Sequence, residues 1–142
     1  MNKISVVYYS STGFTQAMAE ALVEGVKSAG IEPNVYKISE VNVDDVFSSD
    51  VIAMGSSACG AETIEETYFV PFMDENLDKF NGKKVYIFGS YGWGGGEYAD
   101  NWKAQLEGAG ANVVAMPILV NDGASDEELE QLKEIGKKLA TI

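Results

Sequence analysis

Ser10, Ser11, Thr12 and Thr15 place four hydroxyls within six residues, around a single glycine, Gly13. The segment follows the apolar run Ile4 to Tyr9 and precedes a stretch with helical spacing of apolar residues. A helix N-terminus offers backbone N–H groups without intrahelical partners and a partial positive charge, and neighbouring hydroxyls can add donors to an anion held there. The chain contains no Arg and no His, and this loop contains no Lys, so a phosphate would be held by neutral donors alone. That separates the loop from the Lys-bearing Gly-x-x-x-x-Gly-Lys phosphate loop and from the Gly-x-Gly-x-x-Gly dinucleotide turn. An ordinary helix cap would also use Ser or Thr here, so the loop alone leaves both readings open.

Two further loops narrow the choice. One runs Ser56-Ser57-Ala58-Cys59-Gly60-Ala61-Glu62-Thr63, after the apolar run Val51 to Gly55. The other runs Ser90-Tyr91-Gly92-Trp93-Gly94-Gly95-Gly96-Glu97, after Val85 to Phe88. Glycines let a flat group approach the backbone, and an indole offers a face for stacking, so the last loop suits an aromatic ring. The competing reading is a surface loop whose Trp93 covers the core. Tyr98 and Trp102, at helical spacing, are assigned to the core. Cys59 is the only cysteine; with no His to activate it, it is not read as a nucleophile, and no intramolecular disulfide can form.

The elements that must position these loops follow from periodicity. Strands are expected at Ile4 to Tyr9, Val35 to Ile38, Val51 to Gly55, Val85 to Phe88 and Val113 to Met116. Helices are expected from Phe14 to Ala29, closed by Gly30; from near Pro71, burying Phe72 and Leu77; from Glu97 to Glu107; and after Ser125, where Glu128 completes a capping box ahead of Leu129, Leu132, Ile135 and Leu139. Strands apolar throughout, alternating with helices, indicate an α/β domain with a parallel sheet covered on both faces. In such a sheet the three loops open on one edge and can share a ligand.

At 142 residues the chain suits a single domain, spanning 1–142. No apolar run approaches the roughly 20 residues that a membrane span requires, and the N-terminal residues lack the apolar stretch of a signal peptide, so a soluble, cytoplasmic protein is expected. The net charge of −12, from 22 acids against 10 lysines, disfavours nucleic acid and anionic membrane surfaces and favours basic partners. Without His and with one Cys the chain offers no zinc or iron–sulfur ligand set, so any redox cofactor should be organic.

Taken together, Ser10 to Thr15 and Ser90-Tyr91-Gly92-Trp93-Gly94 make the chain resemble the flavodoxins, specifically the short-chain type of anaerobic bacteria. The resemblance covers the whole length. It implies a three-layer, doubly wound fold with a five-stranded parallel sheet in the order 2-1-3-4-5, and non-covalently bound FMN. By that resemblance Ser10, Ser11, Thr12, Gly13, Phe14 and Thr15 form the phosphate loop, and Ser57 adds a hydroxyl. Ala58, Cys59, Gly60, Ala61 and Glu62 lie along one side of the flavin, with Glu62 accepting from the ring imide N–H. Ser90, Tyr91, Gly92, Trp93 and Gly94 lie along the other, with Trp93 stacked on the ring. The implied function is low-potential one-electron transfer between semiquinone and hydroquinone, in place of ferredoxin. Its partners would be redox enzymes with basic docking patches, and the carrier would be a monomer with no catalytic site of its own. An FMN-dependent quinone or azo reductase, or a flavoprotein dedicated to one enzyme, are the alternatives. A response-regulator receiver is excluded, since the ends of strands 1 and 3 read Tyr8-Tyr9-Ser10 and Met54-Gly55-Ser56 and lack clustered acids.

Three positions depart from the family pattern. Phe14, expected at the second helical position, replaces a polar residue, and Cys59 replaces a Met. Ala61 follows Gly60 where Asp or Gly is common. In a turn Cys59-Gly60-Ala61-Glu62 the type II′ form suits Gly60, whereas type II requires positive φ at Ala61. Ala61 is therefore expected to bias the loop toward the form that presents a carbonyl to the half-reduced flavin, by on the order of 1 kcal/mol.

Overall fold

A computed structural model describes residues 3–10, 13–57, 64–91, 97–121 and 123–142. In chain order its elements are β1 (Ile4–Tyr9), α1 (Phe14–Ser28), β2 (Asn34–Lys37), a 3-10 turn at Ile38–Glu40, α2 (Val43–Phe47), β3 (Val51–Ser56) and α3 (Phe69–Asn76). A second 3-10 turn at Leu77–Phe80 follows, then β4 (Lys84–Tyr91), α4 (Glu97–Gly108), β5 (Asn112–Val113), β6 (Ile118–Asn121) and α5 (Asp126–Leu139).

Side chains alternate across the pleat of a strand, and here the alternation feeds two cores. Ile4, Val6 and Tyr8 of β1, Val51 and Ala53 of β3, and Tyr86 and Phe88 of β4 pack with Met18, Leu22 and Val26 of α1 and Leu132 and Leu139 of α5. On the opposite face Val7, Ile52, Met54, Val85 and Ile87 pack with Phe69, Phe72 and Met73 of α3 and Tyr98, Trp102 and Leu106 of α4. The result is three layers, as expected for strands buried on both sides.

All strand pairs are parallel, in the order β2-β1-β3-β4-β5, with β6 also paired to β4. The expected order is thus present, but the fifth strand is not one run from Val113 to Met116. It is split into β5 and β6 around Pro117, which has no N–H to give to a ladder, and Met116 is 82% exposed. Tyr86 bridges the break: its hydroxyl accepts from Ile118 N (3.0 Å) and donates to Met116 O (3.1 Å). Burial pushes the Tyr86 pKa up, so the hydroxyl keeps the proton it donates.

Other boundaries also moved. β2 begins at Asn34 and alternates in exposure, with Val35 exposed, because it is an edge strand and not an apolar interior one. Ile38 belongs to the following 3-10 turn. α3 starts at Phe69, so Pro71 lies inside its first turn, and Leu77 opens a 3-10 turn where it is only half-buried. α2, five residues capped by Asn42, is too short to show a period; its Phe47 ring packs edge-on against Phe80, with centroids 4.9 Å apart.

α1 and α5 touch at backbone level. A Cβ on Gly25 would lie 2.0 Å from Lys133 O, and one on Gly136 would lie 2.2 Å from Leu22 O. α5 is held at its start by the expected capping box between Ser125 and Glu128. The helix that follows the hydroxyl-rich loop is thereby fixed on both sides, by the sheet and by α5. Among the described residues no helix is long and apolar enough to cross a membrane.

Candidate functional site at the carboxyl edge of the sheet

β1, β3 and β4 run parallel, so their carboxyl ends, at Tyr9, Ser56 and Tyr91, share one edge. Three hydroxyls meet there. Thr15 Oγ1 lies 3.0 Å from Ser57 Oγ and 3.0 Å from Ser90 Oγ. The three side chains are buried, at 0%, 6% and 4% exposure. Each hydroxyl carries one proton. Two contacts use two of the three, which leaves one for an acceptor outside the cluster.

Above the cluster starts α1. Its N-cap is Gly13, at φ +93°, which has no side chain to cap the helix. A Cβ on Gly13 would meet nothing within 4 Å, so the glycine answers to the left-handed backbone and not to crowding. Gly13 N donates to Ser10 Oγ (3.0 Å), which shapes the turn and leaves the Ser10 proton to be donated onward. The first turn of α1 contains no acidic residue. Helix N–H groups, the positive end of the helix dipole and neutral hydroxyls therefore converge, in loops whose sequence contains no Lys or Arg. This donor set fits a phosphate group.

The structure brings Ser10, Gly13, Thr15, Ser57 and Ser90 together at this edge. Phe14 is the first helical residue, not the second as expected, because Gly13 itself is the cap. Its ring is 38% exposed and lies alongside Gly123, whose Cβ position is 3.3 Å away. Tyr91 closes β4, half-buried. Ser11, Thr12, Ala58, Cys59, Gly60, Ala61, Glu62, Gly92, Trp93 and Gly94 lie outside the described residues. Tyr98 and Trp102 are core residues, each 2% exposed, as their spacing indicates.

Sequence reasoning assigned no positioning role to three other groups. Ser56 Oγ accepts from Glu65 N (3.0 Å) and donates to Ser57 O (2.9 Å), joining the two ends of the second loop. The carboxylate of Glu65, in a side chain only 5% exposed, accepts from the backbone N–H groups of Thr67 (2.8 Å), Tyr68 (2.7 Å) and Phe69 (3.1 Å). Burial pulls its pKa upward, but the N–H groups of Tyr68, Thr67 and Phe69 outweigh it and hold the carboxyl below its ordinary value. Third, the Tyr98 hydroxyl donates to Ser56 O (3.0 Å). A Glu shortly before an apolar run was the only available signal, and it points equally to a solvated acid.

The flavodoxin family model matches residues 6–136 of the chain. A flavodoxin of Clostridium beijerinckii is 40% identical over 139 residues, covering 98% of this chain and all of that protein. A flavodoxin of Megasphaera elsdenii is 42% identical over 137 residues, covering 96% of this chain and 98% of the relative. The solved structure of two-electron reduced Megasphaera elsdenii flavodoxin superposes with a TM-score of 0.86 at 41% identity, over 95% of this chain and 98% of that one. With the hydroxyl cluster and the parallel sheet in place, this chain belongs to the flavodoxin family, FMN-binding carriers of electrons.

Proposed function

We propose that the chain is one FMN-binding domain, residues 1–142, that carries single electrons at low potential in place of ferredoxin and converts no substrate of its own. The observation that carries the reading is the buried Thr15–Ser57–Ser90 hydroxyl cluster at the start of α1. Ser10, Ser11, Thr12, Gly13, Phe14 and Thr15, with Ser57 and Ser90, would hold the phosphate through neutral donors. Ala58, Cys59, Gly60, Ala61 and Glu62 on one side and Tyr91, Gly92, Trp93 and Gly94 on the other would enclose the ring. Trp93 would cover one face, and Glu62 would accept from the imide N–H. When bound, the flavin supplies the redox chemistry.

The rest of the chain sets the electrostatics. A protein of net charge −12 without a cation in its hydroxyl loops opposes each added negative charge, which lowers the potential at which the second electron enters. The same excess of acids steers docking toward basic patches on donor and acceptor enzymes, giving fast, salt-sensitive encounters. We place the protein in the cytoplasm as a monomer, the net charge opposing self-association.

Stepwise reductive titration of the FMN-loaded protein, followed by visible absorption, tests the reading. Accumulation of one-electron-reduced flavin before full reduction is expected. Direct two-electron passage would move the protein to the reductases, and failure to bind FMN would overturn the assignment of all three loops.

A further inference from the structure

The ladder between β3 and β4 has Gly55 and Phe88 as its last pair. Beyond it the strands part: Ser56 stays paired with Tyr9 of β1, while Gly89, Ser90 and Tyr91 pair with Leu119, Val120 and Asn121 of β6. The second and third loops leave from the two prongs of this fork, so its width governs how far apart they start. The Tyr98 hydroxyl sits between the prongs. It donates to Ser56 O on β3 at 3.0 Å and lies 3.5 Å from Ser90 O on β4. Space for it exists because residue 89 is a glycine. A Cβ there would fall 2.1 Å from Ser56 O and 2.3 Å from the Tyr98 hydroxyl. Tyr98 belongs to the first turn of α4, directly after the third loop, and is 2% exposed. One buried hydroxyl therefore ties the exit of the third loop to the entry of the second. Through Ser56 Oγ and Glu65 N the same node reaches the exit of the second loop.

We propose that Tyr98 is a positioning residue for the flavin, its hydroxyl fixing the width of the fork between β3 and β4 and hence the spacing of the two loops that enclose the ring. This rests on the FMN reading above. Desolvation makes the bond to Ser56 O matter, because a buried carbonyl that loses its donor cannot turn to water. The bond also crosses between segments distant in sequence, so it constrains their separation and not only the local turn.

Tyr98→Phe keeps the ring and removes the latch. The Trp102→Phe variant serves as the comparison: it alters the same core from the same helix, and the Trp102 indole nitrogen is buried without a hydrogen-bond partner among the described residues, so packing is what changes. FMN affinity and the visible circular dichroism of saturated protein are measured well below the unfolding temperature of each apoprotein. For Y98F the FMN dissociation constant is expected to rise about fivefold, the equivalent of one hydrogen bond, with a changed flavin dichroism. W102F should be less stable yet match wild type in both readouts. Wild-type affinity and dichroism in Y98F overturn the proposal. So does an equal change in W102F, which would mark a general core effect. If Y98F does not fold, Gly89→Ala decides: its methyl would fall 2.1 Å from Ser56 O and 2.3 Å from the Tyr98 hydroxyl and so displaces the latch, and unchanged flavin dichroism in that variant overturns the proposal. Wild-type protein that binds no FMN instead refutes the functional reading beneath it.

Discussion

Replacing Thr15 separates the structural from the binding role of the hydroxyl cluster, because valine and serine each remove half of the side chain's chemistry. Thr15→Val keeps the shape and removes both cluster contacts, to Ser57 and Ser90. Two buried hydrogen bonds at about 1 kcal/mol each are lost, and the new methyl offsets roughly 0.8 kcal/mol by apolar burial. The apoprotein should lose about 1–2 kcal/mol. Thr15→Ser keeps both contacts and deletes a methyl from a position that is 0% exposed, which costs about 0.5–1.5 kcal/mol. Urea denaturation should therefore find the two apoproteins similar. FMN affinity should not: a hydrogen bond to a charged oxygen contributes about 1.5–3 kcal/mol, so valine should raise the dissociation constant about 10- to 150-fold, while serine stays near wild type. Titration followed by quenching of flavin fluorescence reads both. Equal affinities for the valine and serine variants would remove the cluster from the phosphate site.

Three further perturbations test other parts of the reasoning. Gly136→Ala drives a methyl to within 2.2 Å of Leu22 O; calorimetry should show a loss of about 1–3 kcal/mol or more from overpacking, and an unchanged melting temperature would contradict the close α1–α5 contact. Glu65 carries a pKa held below its ordinary value, so its contribution to stability is complete above about pH 4.3, the unfolded value, and fades as pH falls through the lower folded value. The stability gap between wild type and Glu65→Gln should accordingly be widest at neutral pH and close in acid, and a gap that widens on acidification would reverse the assignment. Trp93→Ala should brighten bound-flavin fluorescence and weaken FMN binding, and a variant matching wild type in both would take Trp93 out of the site.

The parallel sheet, the two helices after β1 and β4, and the capping box of α5 could be read from the chain, because each rests on a local period or a fixed spacing, whereas the strand order came only with the flavodoxin resemblance. What escaped depends on contacts between distant segments. Pro117 announces a break, but nothing local says that β6 would return to β4, or that the Tyr86 hydroxyl would bridge the gap. At the site, hydroxyl content marked Ser10 and Thr15 as donors, the flavodoxin resemblance added Ser57, and parallel topology placed their loops on one edge with that of Ser90. That Thr15 bonds to both serines is a fact of packing that residue types alone do not contain. Tyr98 shows the limit most clearly. Its spacing with Trp102 and Leu106 marks it correctly as core, yet the hydroxyl that distinguishes it from phenylalanine reaches out of that core to the fork between β3 and β4.

The contact between Gly25 of α1 and Lys133 of α5 joins elements from opposite ends of the chain. During synthesis α1 and its hydroxyl loop emerge early, but Met18, Leu22 and Val26 have no helix to pack against until Leu132 and Leu139 have been made. Contacts between such distant segments carry a loop-closure cost that delays their formation. The nascent chain thus cannot cover the outer face of α1 before its last helix docks. Tight flavin binding is accordingly expected to follow the docking of α5, the flavin adding its binding energy to the closed fold.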